Sequence, residues 1–232
     1  MQEINFQSLT RTIIEYLRIH IVEGVLYPGQ KLNEEEISRS LGISRPPLRE
    51  AFRVLEGEDL VVNIARKGCY VKAVDKETCQ EIFRLREMME CYAIELIEEK
   101  KIEKFGRIEA TLQRKITLPV ISDPFDKYRY LKQIADFHIQ LIESANNSRL
   151  KQFYLNSFPA LARYQSMYTY INGLMDESHK THAEILDLLK NKQYEEAKNK
   201  VRLHIRGFLT ILDNHLNNGL LLSQQREYQN AK

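Results

Sequence analysis

Three arginines spaced four residues apart, Arg45, Arg49 and Arg53, are the first residues in this chain that suggest a defined chemistry. Side chains at this spacing lie on one face of an α-helix, so the three guanidinium groups form a stripe. A guanidinium group can donate two parallel hydrogen bonds to a phosphate or to a guanine edge. Ser44 precedes the stripe, and its hydroxyl is expected to cap the helix. The pattern predicts a DNA-reading helix that begins after Ser44.

The roles of three basic residues have two alternative interpretations. Arg53 contacts DNA or instead pairs with Glu50 or Glu56 beyond the groove. Arg66 and Lys67 lie between two apolar stretches. They either touch the DNA backbone or minor groove, or form only the polar tip of a hairpin.

Three histidines in the second half of the chain, His138, His182 and His204, form another set that could do chemistry. Each shares a helical face with apolar residues, so each is expected to point into a helix bundle. His182 and His204 flank a turn at about equal distances, so antiparallel helices would bring their rings to the same height. Converging neutral imidazoles can supply three ligands to a divalent metal. Alternatively, each is a core histidine with a backbone or water partner. His179, one turn before His182, could enlarge the site.

The arginine stripe requires a particular arrangement of helices before it. Apolar spacing predicts a helix over residues 9–23. Asn33 with Glu36 forms a capping box for a second helix over residues 34–41. Gly42 then allows a tight turn into the arginine helix, and the two helices form a helix-turn-helix.

A β-hairpin is expected after the arginine helix, which should end near Gly57. Two apolar stretches, 60–64 and 69–74, are separated by a short segment that contains glycine and two basic residues. Such a pair predicts a wing with a basic tip.

Residues 75–232 have a helical pattern throughout and predict an all-α bundle of six or seven helices, which makes the chain mainly α. Pro159 falls inside one of these helices and is expected to kink it. Apolar positions at 82–96 mark the first of the predicted helices. The others span residues 102–118, 124–145, 150–170, 176–190 and 195–218.

Length and composition are compatible with two domains, here taken as 1–74 and 75–232. The net charge of +2 is too small to indicate nucleic-acid binding by itself, and residues 1–74 hold equal numbers of basic and acidic side chains. The three cysteines lack metal-type spacing and are expected to be reduced thiols. With neither a secretory pattern nor an apolar run that could span a bilayer, a cytoplasmic protein without membrane contact is expected.

The amino-terminal half carries sequence blocks that resemble a known family. Residues 21–34 (IVEGVLYPGQKLNE) and 41–51 (LGISRPPLREA) are followed by Leu55-Glu56-x-x-x-Leu60-Val61 and Gly68-x-x-Val71. In this order they resemble the winged helix of the GntR family of bacterial transcription regulators. The family's usual threonine after Ser-Arg is Pro46 here, which is expected to alter one phosphate contact and leave the docking mode unchanged.

This resemblance implies roles for individual residues. Arg45 and Arg49 would contact bases or adjacent phosphates, while Ser44 and Gly68 would donate hydrogen bonds to phosphates. Arg39, on the preceding helix, is a further phosphate candidate. A double-stranded operator with two half-sites would require a homodimer.

The second half resembles the FCD effector domain of the FadR subfamily of these regulators. The resemblance rests on Arg86-x-x-x-Glu90 and on the segments 137–150, 182–186 and 197–204, which contain the three histidines. It implies a divalent metal such as zinc or nickel, held by three histidines and an aspartate, with a small carboxylate effector completing the shell.

One residue departs from that pattern. Ile134 stands where the aspartate is usual, and Asp136 lies around the other side of its helix. A three-histidine site with waters would then bind metal more weakly, or the effector would supply the missing oxygen. Alternatively, the site is metal-free and binds an anion, including a larger acyl ligand, through the histidines and Arg86.

The function favoured by these features is DNA-binding transcriptional regulation controlled by a small metabolite. The competing class is a metal-dependent enzyme in a helical bundle. The chain contains no HExxH, Walker or GxSxG motif, and no histidine follows a glutamate by three residues. An enzyme would also leave the winged helix without a role.

Overall fold

The computed structural model describes residues 6–114, 124–166 and 174–217. These residues form nine helices and one three-stranded sheet. The chain divides into two compact units. The first contains the described residues of 1–74, 120–129 and 156–166, and the second contains those of 75–119, 130–155 and 167–232.

Three helices in the first unit form the predicted helix-turn-helix and its support: α1 (Phe6–Val22), α2 (Glu34–Leu41) and α3 (Arg45–Gly57). Asn33 caps α2 as expected, because its side chain accepts hydrogen bonds from the first turn of backbone N–H groups. Gly42 ends α2 in the left-handed conformation, with φ of 64°, and so permits the tight turn into α3.

The predicted hydroxyl cap on α3 is wrong. Ser44 occupies the N-cap position with an extended backbone, but its side chain makes no capping hydrogen bond. A capping hydroxyl accepts from the backbone N–H of the second or third helical residue. Those residues are Pro46 and Pro47, which have no N–H. The Ser44 hydroxyl is therefore not used by its own helix.

The arginine helix is amphipathic, and its apolar face is buried against the rest of the first unit. α1 is its main packing partner, and the first residues of the wing complete this core. The buried side chains of α3 are Pro47, Leu48, Ala51, Phe52 and Leu55.

The wing has one strand more than the sequence predicted. Strands β2 (Val61–Ile64) and β3 (Gly68–Val71) form the expected hairpin. β1 (Lys31–Leu32) pairs antiparallel with β3, so the strand order is β1-β3-β2. Two residues are too short a stretch for alternating hydrophobicity to reveal β1. At the hairpin turn, Arg66 adopts φ of 64°.

The later segments of the first unit bond to backbone carbonyls of the winged helix. Nη2 of Arg163 donates to the carbonyl of Lys72 at 2.6 Å, and Oγ of Ser166 donates to the carbonyl of Val22 at 2.8 Å. Burial lowers the pKa of Arg163 to about 10, and the guanidinium group still stays charged near neutral pH.

Six further helices confirm the predicted helical carboxy-terminal half. Pro159 lies inside one of them, α7. These helices are α4 (Lys76–Glu99), α5 (Gly106–Gln113), α6 (Pro124–Ser144), α7 (Ser148–Ser166), α8 (Leu174–Lys190) and α9 (Tyr194–Asn217). None of the described helices combines the length and apolar character that a membrane-spanning segment requires.

The second predicted helix began too early. Ile102 belongs to the end of α4, because its N–H donates to the carbonyl of Ile97 while Lys101 adopts a left-handed φ of 52°. This is a Schellman motif, which uses residues that a continuous helical pattern would assign to the next helix. α5 therefore starts at Gly106. The predicted helix ends at 118, 170 and 218 lie outside the described residues.

Candidate functional site

The arginine stripe of α3 lies on the protein surface. The exposed fractions of the Arg45, Arg49 and Arg53 side chains are 52%, 62% and 75%. They project from the face of α3 opposite its buried apolar residues. Their guanidinium groups are therefore exposed to solvent.

Two arginines of the stripe pair with acidic residues at the start of α2. Nε of Arg49 lies 2.8 Å from a carboxylate oxygen of Glu34, and Nη2 of Arg45 lies 3.2 Å from one of Glu35. Arg39, on α2 itself, also contacts Glu35 at 3.1 Å. These pairs are solvent-exposed, so an incoming phosphate can exchange with the carboxylates at small cost.

Arg53 pairs with Glu50, which is one of its two predicted partners. The distance from Nη1 of Arg53 to Oε2 of Glu50 is 3.1 Å. Glu56 instead accepts two hydrogen bonds from Asn63, from its backbone N–H at 2.9 Å and from its side-chain amide at 2.8 Å. Glu56 thereby ties the end of α3 to β2, and these hydrogen bonds lower the pKa of its carboxyl.

The basic tip of the wing is also exposed. Arg66, Lys67 and Gly68 are all exposed, and within the described part of the chain neither Arg66 nor Lys67 forms an ion pair. The N–H of Lys67 closes the turn by donating to the carbonyl of Ile64 at 3.0 Å. The tip therefore presents two unpaired positive charges to solvent.

The three histidines converge as predicted. One ring nitrogen from each of His138 on α6, His182 on α8 and His204 on α9 lies within 4.8 Å of the others. The Nε2 atoms of His182 and His204 are 3.1 Å apart. Phe137 stacks parallel to the His182 ring at a centroid distance of 4.1 Å, which restrains the plane of that ring.

A buried carboxylate, which the sequence analysis did not assign to the site, organises its interior. Glu90 on α4 is fully buried and receives three contacts: Nε of Arg86 at 2.7 Å, Nδ1 of His138 at 2.9 Å and the hydroxyl of Tyr154 at 3.2 Å. The i, i+4 spacing of Arg86 and Glu90 could have predicted their ion pair from the sequence. No sequence pattern indicated that Tyr154 would contact Glu90, because tyrosines are common in the cores of helix bundles.

Burial keeps all three histidines neutral. Desolvation lowers the pKa of His138 and of His182 well below the usual value, and the nearby positive charge of Arg86 lowers both further. Desolvation, with Arg86 again contributing, lowers the pKa of His204 to about 4. At neutral pH each ring therefore has one unprotonated nitrogen that can act as an acceptor or a metal ligand.

Arg86 retains unused hydrogen-bonding capacity. Its side chain is buried, yet its Nη2 atom has no hydrogen-bond partner among the residues that the structure describes. A buried charged donor without a partner is costly and indicates a missing acceptor. The natural acceptor for a guanidinium group is an anion such as a carboxylate.

The site fits a metal through its three histidines, but the described part of the chain provides no fourth ligand of the usual type. Ile134 lies one helical turn before His138, and Asp136 is engaged elsewhere, with a carboxylate oxygen 3.0 Å from Nη1 of Arg114. His179 does not enlarge the site, since its ring is exposed and bonds to the carbonyl of Leu112 at 2.9 Å. The separation of 3.1 Å between two histidine nitrogens is close to the roughly 3.3 Å expected of ligands on one tetrahedral zinc ion.

A winged helix-turn-helix with an exposed basic face, joined to a helical domain with a buried polar site, defines a ligand-responsive transcription regulator. Residues 9–71 match the family described as "Bacterial regulatory proteins, gntR family", and residues 81–207 match the FCD domain. The chain belongs to the GntR family of bacterial regulators and carries an FCD domain. It is therefore a regulator and not an enzyme, which agrees with the sequence analysis.

Relatives agree with this assignment, and a solved structure shares the fold. The chain is 28% identical to the uncharacterized HTH-type transcriptional regulator YdhC of Bacillus subtilis (strain 168), covering 81% of this chain and 84% of the relative. It is 26% identical to the Nta operon transcriptional regulator of Aminobacter aminovorans, covering 77% and 82%. The structure of McbR/YncC from E. coli shares the fold, with a TM-score of 0.66 and 20% identity over 89% of this chain and 98% of that one.

Proposed function

We propose that this regulator binds operator DNA through α3 and the wing, and that a small carboxylate held at the buried histidines changes its DNA affinity. The proposed DNA binding rests on the exposed arginine stripe on the second helix of the helix-turn-helix. Arg45 and Arg49 would read base edges or adjacent phosphates, and Arg53 would extend the contact along the backbone.

The start of α3 offers further hydrogen-bond donors to DNA. The Ser44 hydroxyl is left unused by the helix, so it can donate to a phosphate. Arg39 on α2 and the wing tip of Arg66, Lys67 and Gly68 lie on exposed surfaces and can contact the backbone or the minor groove. Phosphate contacts of this kind set the register of the protein on the duplex, while base contacts set the sequence.

A twofold operator requires two copies of the chain. Half-sites one helical turn apart match two winged helices related by a twofold axis, so the active species is a homodimer. In this division of labour, residues 1–74 contact DNA, and residues 75–232 bind the effector and hold the dimer.

The effector half is inferred from the balance of charge in the buried site. Arg86 and Glu90 neutralise each other, and the three histidines are neutral. A divalent metal would therefore bring two uncompensated positive charges into a buried environment. A carboxylate effector offsets one of these two charges, supplies the ligand that Ile134 cannot, and gives Nη2 of Arg86 an acceptor.

Three histidines suit zinc or nickel, and such an ion would polarise and orient a bound carboxylate. His138, His182 and His204 would hold it, with the Glu90 contact fixing the orientation of His138. A metal-free variant uses the same residues: the unpartnered Nη2 of Arg86 favours an anion even without a metal, including the head group of a larger acyl ligand.

The test begins with selection of DNA from a random-sequence pool by the purified chain, followed by fluorescence anisotropy on the selected duplex. Zinc, nickel and a series of carboxylates of increasing length are then added singly and together. Zinc uptake that tightens when a short carboxylate is present, with a matching change in DNA affinity, supports the metal-bound effector. A change with carboxylate alone supports the metal-free variant. Enrichment of no sequence from the pool would refute the DNA-binding half.

A further inference from the structure

The carboxylate of Glu35 contacts two of the arginines assigned to DNA. Its Oε1 atom lies 3.1 Å from Nη2 of Arg39, and its Oε2 atom lies 3.2 Å from Nη2 of Arg45. Glu35 is the second residue of α2, and its backbone N–H donates to Oδ1 of the capping Asn33 at 3.0 Å. The cap therefore anchors Glu35 where its side chain meets the first turn of α3.

Folding does not require these two contacts. The side chains of Glu35, Arg39 and Arg45 are 61%, 77% and 52% exposed, and exposed ion pairs contribute little to stability. A negative charge in the first turn of α2 is favourable toward the helix dipole, but Glu34 and Glu36 supply that charge as well. The position of Glu35 between two arginines therefore has its main consequence for what those arginines bind.

We infer that Glu35 is a specificity-determining residue that competes with DNA phosphates for Arg39 and Arg45. A phosphate carries a negative charge, so a carboxylate about 3 Å from the guanidinium group repels it. A base edge is neutral, so Glu35 opposes it less. The carboxylate thus weakens charge-driven contact with any DNA more than it weakens base reading by Arg45. This inference rests on the proposed DNA interface.

The charge balance of the winged helix adds a second, general effect, which the loss of any carboxylate in this segment would share. Residues 1–74 hold equal numbers of acidic and basic side chains, so removal of one carboxylate leaves this segment with a net positive charge. Sequence-independent binding depends mainly on charge and on counterion release from DNA. A regulator that must ignore an excess of random sites benefits from a lower background affinity even when its operator affinity also falls.

The experiment compares Glu35→Gln with Glu36→Gln in the full-length chain. Glu36 is exposed on the same turn, and its substitution removes the same charge, but Glu36 makes no ion pair among the described residues. Each variant is titrated by fluorescence anisotropy against two duplexes: one selected by the wild-type chain from a random pool, and one of scrambled sequence. Salt is varied for both duplexes, and circular dichroism melting checks that each variant is folded.

For Glu35→Gln we expect affinity for the scrambled duplex to rise about threefold to tenfold at low salt, with a smaller rise on the selected duplex. The slope of log affinity against log salt on the scrambled duplex should steepen by about one unit. Glu36→Gln should change the scrambled affinity by less than about twofold, because its charge is not in contact with an arginine.

Three outcomes would overturn the inference. Equal effects of the two variants would mean that only overall charge matters. Unchanged affinity of Glu35→Gln for both duplexes would mean that the ion pairs do not restrain the arginines. Weaker binding to the selected duplex alone would mean that Glu35 accepts a hydrogen bond from a base, such as the amino group of cytosine. If the wild-type chain itself selects no DNA, the proposed function fails, which is a different result from any of these.

Discussion

Nδ1 of His138 lies 2.9 Å from the carboxylate oxygen Oε2 of Glu90, and both residues are buried. Because the carboxylate only accepts, the Nδ1 atom carries the proton, and its N–H donates a hydrogen bond to Glu90. The lone pair of His138 is therefore on Nε2, the nitrogen left for a metal or an effector. One contact thus sets both the tautomer and the orientation of this ring.

The buried network around Glu90 should dominate the stability of the helical half. Glu90→Gln leaves the buried Arg86 charge unpaired, so we expect the free energy of unfolding to fall by about 3–5 kcal/mol. Tyr154→Phe removes one of three donors to Glu90 and should cost only about 1 kcal/mol. Urea denaturation followed by circular dichroism measures both. Similar losses for the two variants would contradict the assignment of Glu90 as the centre of the network.

Metal binding should depend on the histidines and respond to residue 134. His138→Ala combined with His204→Ala should abolish uptake of zinc or nickel, measured by elemental analysis after dialysis. Ile134→Asp places a carboxylate one turn before His138, where it can bind the metal directly. Metal affinity should then rise by at least about tenfold, because even a residue that only hydrogen-bonds to a metal ligand changes metal affinity by about 10-fold to 100-fold. Equal metal content in the wild-type chain and the double variant would exclude the proposed site.

Arg49 should be central to DNA affinity. Arg49→Ala removes a side chain that can donate two hydrogen bonds to a guanine edge or to a phosphate. We therefore expect the free energy of binding to the selected duplex to weaken by about 1–3 kcal/mol. Arg53→Ala, one turn farther along and paired with Glu50, serves as the matched control and should lose less. Anisotropy titrations provide the affinities, and unchanged binding by folded Arg49→Ala would refute the assigned role of α3.

The wing tip should contribute through charge. Replacing both Arg66 and Lys67 with alanine should flatten the slope of log affinity against log salt by about one unit for each phosphate that the wing no longer binds. The double variant is compared with wild type on the same selected duplex at several salt concentrations. A slope that stays constant would show that the wing makes no phosphate contact.

Pro46 should limit the affinity for DNA. Pro46→Thr adds a backbone N–H and a hydroxyl at an exposed position in the first turn of α3, where donors can face a phosphate. One new hydrogen bond corresponds to about 1 kcal/mol, or about fivefold tighter binding. Pro46→Ala restores only the N–H and separates the two contributions. Weaker binding by both folded variants would mean that proline itself is required for docking.

Local rules predicted much of this protein. Asn33 and Gly42 bound α2 as expected because capping and left-handed turns depend on a few neighbouring residues. The cap at Ser44 was predicted wrongly from the serine alone, although the two prolines that prevent it were visible two and three residues later. The start of α5 was also misplaced, because a Schellman motif continues the same apolar pattern past the end of a helix.

The sequence by itself determined which residues could do the work: arginines at helical spacing, three histidines on apolar faces, and isoleucine in place of an aspartate. Tertiary structure decided which partners those residues have. Glu35 reaches Arg45, and Tyr154 reaches Glu90, across helices whose packing no local pattern specifies. Such contacts follow from how helices pack, and packing depends on the shape of the whole core, which local spacing does not encode.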